Sequence, residues 1–236
     1  MLIDYLLHEW RLILKSNLKL ALFDYDGTIV DSASMIVTGA IEAFRICGLP
    51  DPDPDKVREN IGKTLAVALD AYMPPGYNVT PEQISDAYRT WYAEQGKLGL
   101  QNEPLYPGMV ELLKNLKKDD WLIGVATNKS RIGLTNGLAK HNLSDIFDVT
   151  LSTDENIPKP DPAMPIRGMK ELGVNSDRTV IVGDTINDIG AGVNAGIKSI
   201  GVKWGYNSEE LLLSAGAHHL VSDSEDLYKL LNDMFD

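Results

Sequence analysis

An α/β fold is predicted for this chain: a Rossmann-like, doubly wound parallel sheet with a small α-helical domain inserted into it. Two observations predict it. Five short apolar runs ending in polar turns alternate with helical patterns, the order that builds a parallel sheet covered by helices on both faces. One interval, residues 32–104, breaks the alternation and carries no buried-strand pattern.

Taken in order, residues 1–17 place Leu6, Leu7, Trp10 and Ile13/Leu14 at helical spacing, which predicts a short amphipathic helix. Asp4, His8, Glu9, Arg11 and Lys15 interrupt the apolar residues, so the segment is neither a bilayer span nor a signal peptide. Its acids offset its bases, which favours packing on the domain or a second subunit over a membrane surface. Leu18 to Tyr25 reads as the first strand. Within residues 32–104, helices are predicted over Met35 to Cys47, Thr64 to Tyr72 and Pro81 to Lys97, divided by proline-rich turns at Pro50 to Pro54 and Pro74-Pro75. Alternation resumes with a helix over Pro107 to Lys118, opened by its proline, and a strand over Trp121 to Thr127. Then follow a helix over Ser130 to His141, a strand over Phe147 to Leu151, a helix over Pro162 to Leu172 and a strand over Thr179 to Gly183. A helix over Ile186 to Ala195, a strand over Lys198 to Val202 and a strand-like Leu220-Val221 end the chain. The expected layout is a helical extension (1–17), an α/β core (18–31 and 105–236) and a smaller helical domain (32–104).

The chain has 34 acidic and 22 basic residues, a net charge of −12. Such a surface repels nucleic acid and anionic lipid, yet admits an anionic substrate where a bound cation reverses the local field. The single cysteine, Cys47, allows no internal disulfide, which fits a reducing cytoplasm. Its apolar helical context marks a small packed residue, not a nucleophile.

Four segments carry chemistry. Asp24-Tyr25-Asp26-Gly27-Thr28 puts two carboxylates where the first strand ends, both directed into the crevice at the carboxyl edge of the sheet. Gly27 permits a tight turn and lets backbone N–H groups approach a ligand oxygen. Two acids so placed can divide the work of nucleophile or metal ligand and of proton carrier. At the second strand end, Thr127-Asn128-Lys129-Ser130 brings a hydroxyl and an amide to the same crevice. Lys159 sits in the proline-framed turn Pro158-Lys159-Pro160-Asp161-Pro162, where by itself it reads as a solvated lysine. Gly183-Asp184-Thr185-Ile186-Asn187-Asp188 adds two carboxylates at a strand-to-helix turn, hard oxygen ligands suited to Mg²⁺.

In this order, from about Leu18 to the chain end, the segments resemble the haloacid dehalogenase superfamily of phosphohydrolases. The helical insertion, Asp31-Ser32, Tyr106-Pro107-Gly108, Lys159-Pro160-Asp161-Pro162 and Val202 to Tyr206 resemble the branch that includes phosphoglycolate phosphatase. The resemblance implies that Asp24 attacks phosphorus, while Asp26 protonates the leaving alcohol and then activates water. Thr127, with the Asn128 backbone, would hold phosphoryl oxygens, and Lys159 would neutralise nucleophile and phosphate. Mg²⁺ would bind Asp24, the Asp26 main-chain carbonyl and Asp184. Asp188 would stand behind them, orienting a water of the metal or Lys159. Two features depart from the branch: the longer N-terminal extension and a slightly irregular loop over Ser152 to Pro160.

The resemblance makes residues 32–104 a helical cap on the catalytic core, and leaves the substrate to that cap. There Arg58 and Lys63 flank Gly62 before a predicted helix, where they would meet an anion or simply face water. His218 and His219 lack a matching ligand set and read as structural. The expected function is hydrolysis of a small phosphorylated metabolite by a monomer or homodimer, with 2-phosphoglycolate the named substrate. Pyrophosphatase, sugar phosphatase and phosphoglucomutase-like transfer are the enzymatic alternatives. An inactive scaffold of the same fold is the other, and the intact motifs stand against it. A dehalogenase has no need of a second carboxylate at Asp26. Phosphonate hydrolysis needs a Schiff-base lysine in the cap, which the spacing of Lys63 does not supply.

Overall fold

The computed structural model describes residues 18–235; the helix expected over residues 1–17 lies outside them. Strand β1 (Lys19–Phe23) leads into four helices: α1 (Ala33–Ile46), α2 (Pro54–Glu59), α3 (Leu65–Asp70) and α4 (Pro81–Lys97). Then come α5 (Met109–Lys118), β2 (Trp121–Ala126), α6 (Arg131–Lys140), β3 (Val149–Leu151), α7 (Ala163–Leu172), β4 (Thr179–Gly183), α8 (Ile186–Ala195) and β5 (Lys198–Val202). Helix α9 (Glu209–Ser214), β6 (His219–Val221) and α10 (Ser224–Met234) complete the described chain.

The six strands form one parallel sheet in the order β3-β2-β1-β4-β5-β6. From β1 to β5 the sheet is buried on both faces, so these strands are mostly apolar while side chains still alternate; the edge strand β6 exposes His219. Ala21 and Phe23 of β1 join a cluster with Leu113 and Leu116 of α5, Leu134 of α6 and Leu231 of α10. Leu20 and Leu22 join the opposite cluster, with Met164 of α7 and Ala191 of α8. The helices α1–α4 bury their apolar faces in a third cluster of their own, around Phe44, Leu69 and Ile84. The chain leaves β1 toward β2 on one side and reaches β4 on the other, so a crevice opens at the carboxyl ends of β1 and β4.

Local chemistry accounts for most boundaries. Helix α4 starts where Thr80 and Gln83 form a capping box with Pro81 at the first helical position. Helix α5 begins at Met109, later than the expected Pro107. Gly108, at φ 75°, closes a turn in which the Met109 N–H donates to the Tyr106 carbonyl at 3.2 Å. The proline-rich stretch Pro50 to Pro54, expected as a turn, ends by starting α2, because the Asp53 side chain caps it and Pro54 opens it. Helices α9 and α10 are additions to the sequence reading. His218 has a structural place: its Nδ1 accepts from the Ser199 N–H at 3.0 Å. Cys47 is half-buried against the α1–α4 cluster, and burial raises its thiol. No described helix is long and apolar enough to cross a membrane.

Candidate active site

Asp24 follows β1 directly, its N–H donating to the Val182 carbonyl of β4 at 2.9 Å. Its side chain is 4% exposed; Oδ1 accepts from the Tyr25 N–H at 2.7 Å and lies 3.0 Å from the Lys159 Nζ. Lys159, solvated when read alone, has a side chain only 1% exposed. Its ammonium also donates to Asp188 Oδ1 at 2.5 Å and to the Ala126 carbonyl at 2.6 Å. Burial would pull that ammonium down, but Asp188 and Asp24 outweigh it and hold its pKa above the usual lysine value.

Asp184 and Asp188 come from the turn between β4 and α8. Asp184 is fixed by three neighbours that the sequence reading gave no role. The Thr28 hydroxyl donates to Oδ1 at 2.8 Å, the Tyr206 N–H donates to Oδ2 at 3.0 Å, and Gly205 packs against it. A Cβ on Gly205 would lie 2.1 Å from that of Asp184. Gly27, at φ 84°, passes equally close: a Cβ there would stand 2.3 Å from Asp184 Oδ2. Asp188 uses both oxygens. Oδ2 accepts from the Thr185 N–H at 2.9 Å and hydroxyl at 2.7 Å, which starts α8, while Oδ1 takes Lys159.

Carboxylate oxygens of Asp24, Asp184 and Asp188 lie within 4.8 Å of one another, all three residues buried. One ammonium among three carboxylates leaves negative charge unbalanced in a dry site. Burial and then the Asp188 charge push the Asp24 carboxyl up to about 7. Burial, Asp188 and Asp24 raise Asp184 well above the usual carboxylate value. Oxygen donors with surplus charge are what a hard divalent cation requires, so the residues fit such an ion.

Asp26 stands apart from this group. Lys129, which the sequence reading passed over, holds both its oxygens at 3.0 and 3.1 Å. The Lys129 Nζ lies 5.7 Å from the centre of the Tyr25 ring and 5.5 Å from that of Tyr92 on α4. Burial would lower Lys129, but Asp26 and Glu103 prevail and raise it. The Tyr92 hydroxyl donates in turn to the buried Glu103, which lies 3.7 Å from Lys140. Asp26 is thus tied through one lysine to the helical insertion. The only local signal for this was a lysine two residues beyond Thr127.

The remaining residues divide. Thr127, 1% exposed, lines the same cavity as Asp24 and Asp26, and its hydroxyl accepts from the Lys129 N–H at 3.3 Å. Asn128 braces Lys159: its side chain accepts from the Lys159 N–H at 2.9 Å and donates to the Lys159 carbonyl at 3.0 Å. The same amide donates to the carbonyl of Gly62 in the insertion at 2.9 Å, and Asn187 donates there at 3.1 Å. Lys63 lines the cavity with its Nζ on the Asn60 side chain at 2.7 Å. Arg58 is not brought to the site; it is exposed and pairs with Asp55 at 3.2 Å.

Residues 21–202 match the family model described as haloacid dehalogenase-like hydrolase. The chain is 34% identical over 205 residues to the protein named "Probable phosphatase IndB" from Dickeya dadantii, covering 86% of this chain and 88% of that one. It is 30% identical over 217 residues to a phosphoglycolate phosphatase of Vibrio vulnificus, covering 89% and 94%. Among solved structures, "a predicted phosphatase from Clostridium acetobutylicum" superposes with a TM-score of 0.79 at 27% identity, covering 92% of this chain and all of that one.

Proposed function

The chain belongs to the haloacid dehalogenase-like hydrolase family, and on that premise we propose that it is a Mg²⁺-dependent phosphomonoesterase working through a phosphoryl-aspartate on Asp24. It is a phosphatase, as its relatives are. One observation carries the finer reading: three buried carboxylates converge around Lys159 at the ends of adjacent strands, with Asp26 beside them in one cavity.

Asp24, Asp184 and the Asp26 carbonyl would hold the ion, which supplies positive charge to phosphoryl oxygens. An Asp24 oxygen attacks phosphorus as the bond to the alcohol oxygen breaks. Lys159 keeps that carboxylate in place and neutralises the charge gathering around it. Thr127 binds a phosphoryl oxygen with the Asn128 backbone beside it, while the Gly27 N–H already donates to the Val30 carbonyl at 2.8 Å. Asp26 passes a proton to the departing alkoxide, then takes one from the water that attacks the phosphoryl-aspartate. Asp188 anchors Lys159. Residues 32–104 act as a cap over this site, hinged near Asp31-Ser32 and Glu103-Pro104, where the Asp31 N–H donates to the Pro104 carbonyl at 2.9 Å. A lone cysteine and a charge of −12 suit a cytoplasmic enzyme acting on a small metabolite.

The test is activity after exhaustive chelation and after Mg²⁺ is restored, with intact-mass analysis of acid-quenched turnover. Mg²⁺ should restore hydrolysis, one phosphoryl group should map to Asp24, and Asp24→Asn should abolish both. Full activity without a divalent ion, or the label on another residue, would overturn the mechanism. The sequence resemblance names 2-phosphoglycolate, and the Vibrio relative bears that name; the cavity above Asp24 argues for a different alcohol.

A further inference from the structure

We infer that the leaving alcohol carries an uncharged, largely apolar body of ring size or longer, seated between the helices of the cap. The inference rests on the phosphatase reading and adds the substrate class to it. A single cavity of about 1100 Å³ begins at Asp24 and Asp26 and continues into the helical insertion. Pockets for drug-sized ligands run to roughly 300–1,000 Å³, so the space far exceeds a two-carbon ester.

The chemistry of the wall decides what fills it. Its cap side includes Ala40, Val57, Ile61, Leu65, Tyr72 and Tyr88, which come from all four inserted helices and the turns beside them. Most also belong to the hydrophobic cluster of those helices. The cap therefore leaves a slot in its own core instead of closing it, and the slot opens onto the nucleophile. Tyr88 and Tyr92 stack at 5.9 Å, presenting flat apolar surface beside Asp26.

Of the five cations on the wall, Lys97 is exposed to water and the other four have partners. Lys63 donates to Asn60, Arg89 pairs with Asp86 at 3.0 Å, and Lys140 donates to the Gln101 carbonyl at 2.8 Å. Lys129 belongs to Asp26. A carboxylate seated among Ala40, Val57, Ile61 and Leu65 would lose hydration without a charged partner. An apolar body loses nothing there and gains by leaving water.

The experiment uses the full chain with Mg²⁺ and a series of n-alkyl phosphates from ethyl to octyl, together with 2-phosphoglycolate, phenethyl phosphate and p-nitrophenyl phosphate. Leaving-group basicity barely changes along the alkyl series, so kcat/KM reports the slot. Burial of one methylene corresponds to roughly a fourfold gain, so hexyl phosphate should exceed ethyl phosphate by on the order of 10²-fold, and phenethyl phosphate should exceed 2-phosphoglycolate. Ala68 lines the cavity from a half-buried position on α3. Ala68→Leu should take up slot volume and flatten the chain-length dependence. Hydrolysis with a flat alkyl series, or with 2-phosphoglycolate preferred, overturns the inference and leaves the phosphatase reading standing. No hydrolysis of any ester, p-nitrophenyl phosphate included, overturns both.

Discussion

Replacing Lys159 by methionine removes the one ammonium among three buried carboxylates. The wild-type side chain is 1% exposed, with its Nζ 3.0 Å from Asp24 and 2.5 Å from Asp188. The charges left behind are almost wholly buried. Breaking a buried pair in this way costs about 3–5 kcal/mol. For a chain of this size each kcal/mol moves the melting temperature by about 2–4 °C, so Lys159→Met in chelator should melt about 6–20 °C below wild type. A divalent cation supplies part of the missing charge. The melting shift on adding Mg²⁺ should therefore be larger in the variant than in wild type, because its site is more negative by one charge. Turnover should fall by roughly 10²–10³-fold even with Mg²⁺, the scale of losing one stabilising group at a reacting centre. Thermal unfolding followed by circular dichroism, in chelator and in Mg²⁺, reads both effects. A variant melting with wild type in chelator, or a Mg²⁺ shift no larger than that of wild type, would refute the charge balance drawn here.

Three further outcomes are expected. Asp24 is held at about 7 against an ordinary 3.8, so the proton it keeps when folded favours folding at low pH. That advantage is complete below about pH 4 and lost as pH rises through 7; metal-free protein should melt progressively lower from pH 5 to 8, Mg²⁺ should reduce the slope, and a flat or rising metal-free profile would contradict it. Gly205→Ala places a Cβ 2.1 Å from that of Asp184, which must retreat by about 1 Å or more, so kcat should fall on the order of 10²-fold with weaker Mg²⁺ activation; wild-type kinetics would show that Asp184 has room to spare. Lys129→Met frees the Asp26 carboxylate, so alkyl phosphates should lose roughly 10²-fold in kcat, p-nitrophenyl phosphate much less, and Lys129→Arg should recover part; equal losses on both esters would make Lys129 merely structural.

The parallel sheet was legible because its inner strands are buried on both faces and so read as apolar runs cut off by polar residues. Thr179–Gly183, Ile186–Ala195 and Pro81–Lys97 have the ends the sequence predicts. The same logic put Asp24 and Asp184 together, since strand ends in such a sheet converge. Lys159 was harder. Its burial is decided by Asp24 and Asp188, residues remote in sequence, and nothing in its own proline-framed turn announces them. Lys129 was missed for a similar reason, as Asp26, Tyr92 and Glu103 gather around it only through the fold. Helix α10 did have a local signal: Asp223 accepts from the Glu225 and Asp226 N–H groups, and Leu227 and Leu231 follow at helical spacing. Arg58 shows the limit of charge reading, because an arginine near a glycine turn says nothing about which side of its short helix faces the cavity.

Asp188 starts helix α8 with one oxygen and secures Lys159 with the other. This sharing has a practical side for anyone seeking altered substrate range. A colony screen for hydrolysis cannot distinguish a variant at Asp188 that folds badly from one that folds well and does no chemistry, since both would give colourless colonies. Diversity spent there yields uninterpretable losses. Ala66 and Ala68 lie half-buried on the cavity wall, outside both that shared carboxylate and the buried cluster of the cap, so a library confined to them would separate changes of preference from collapse of the enzyme.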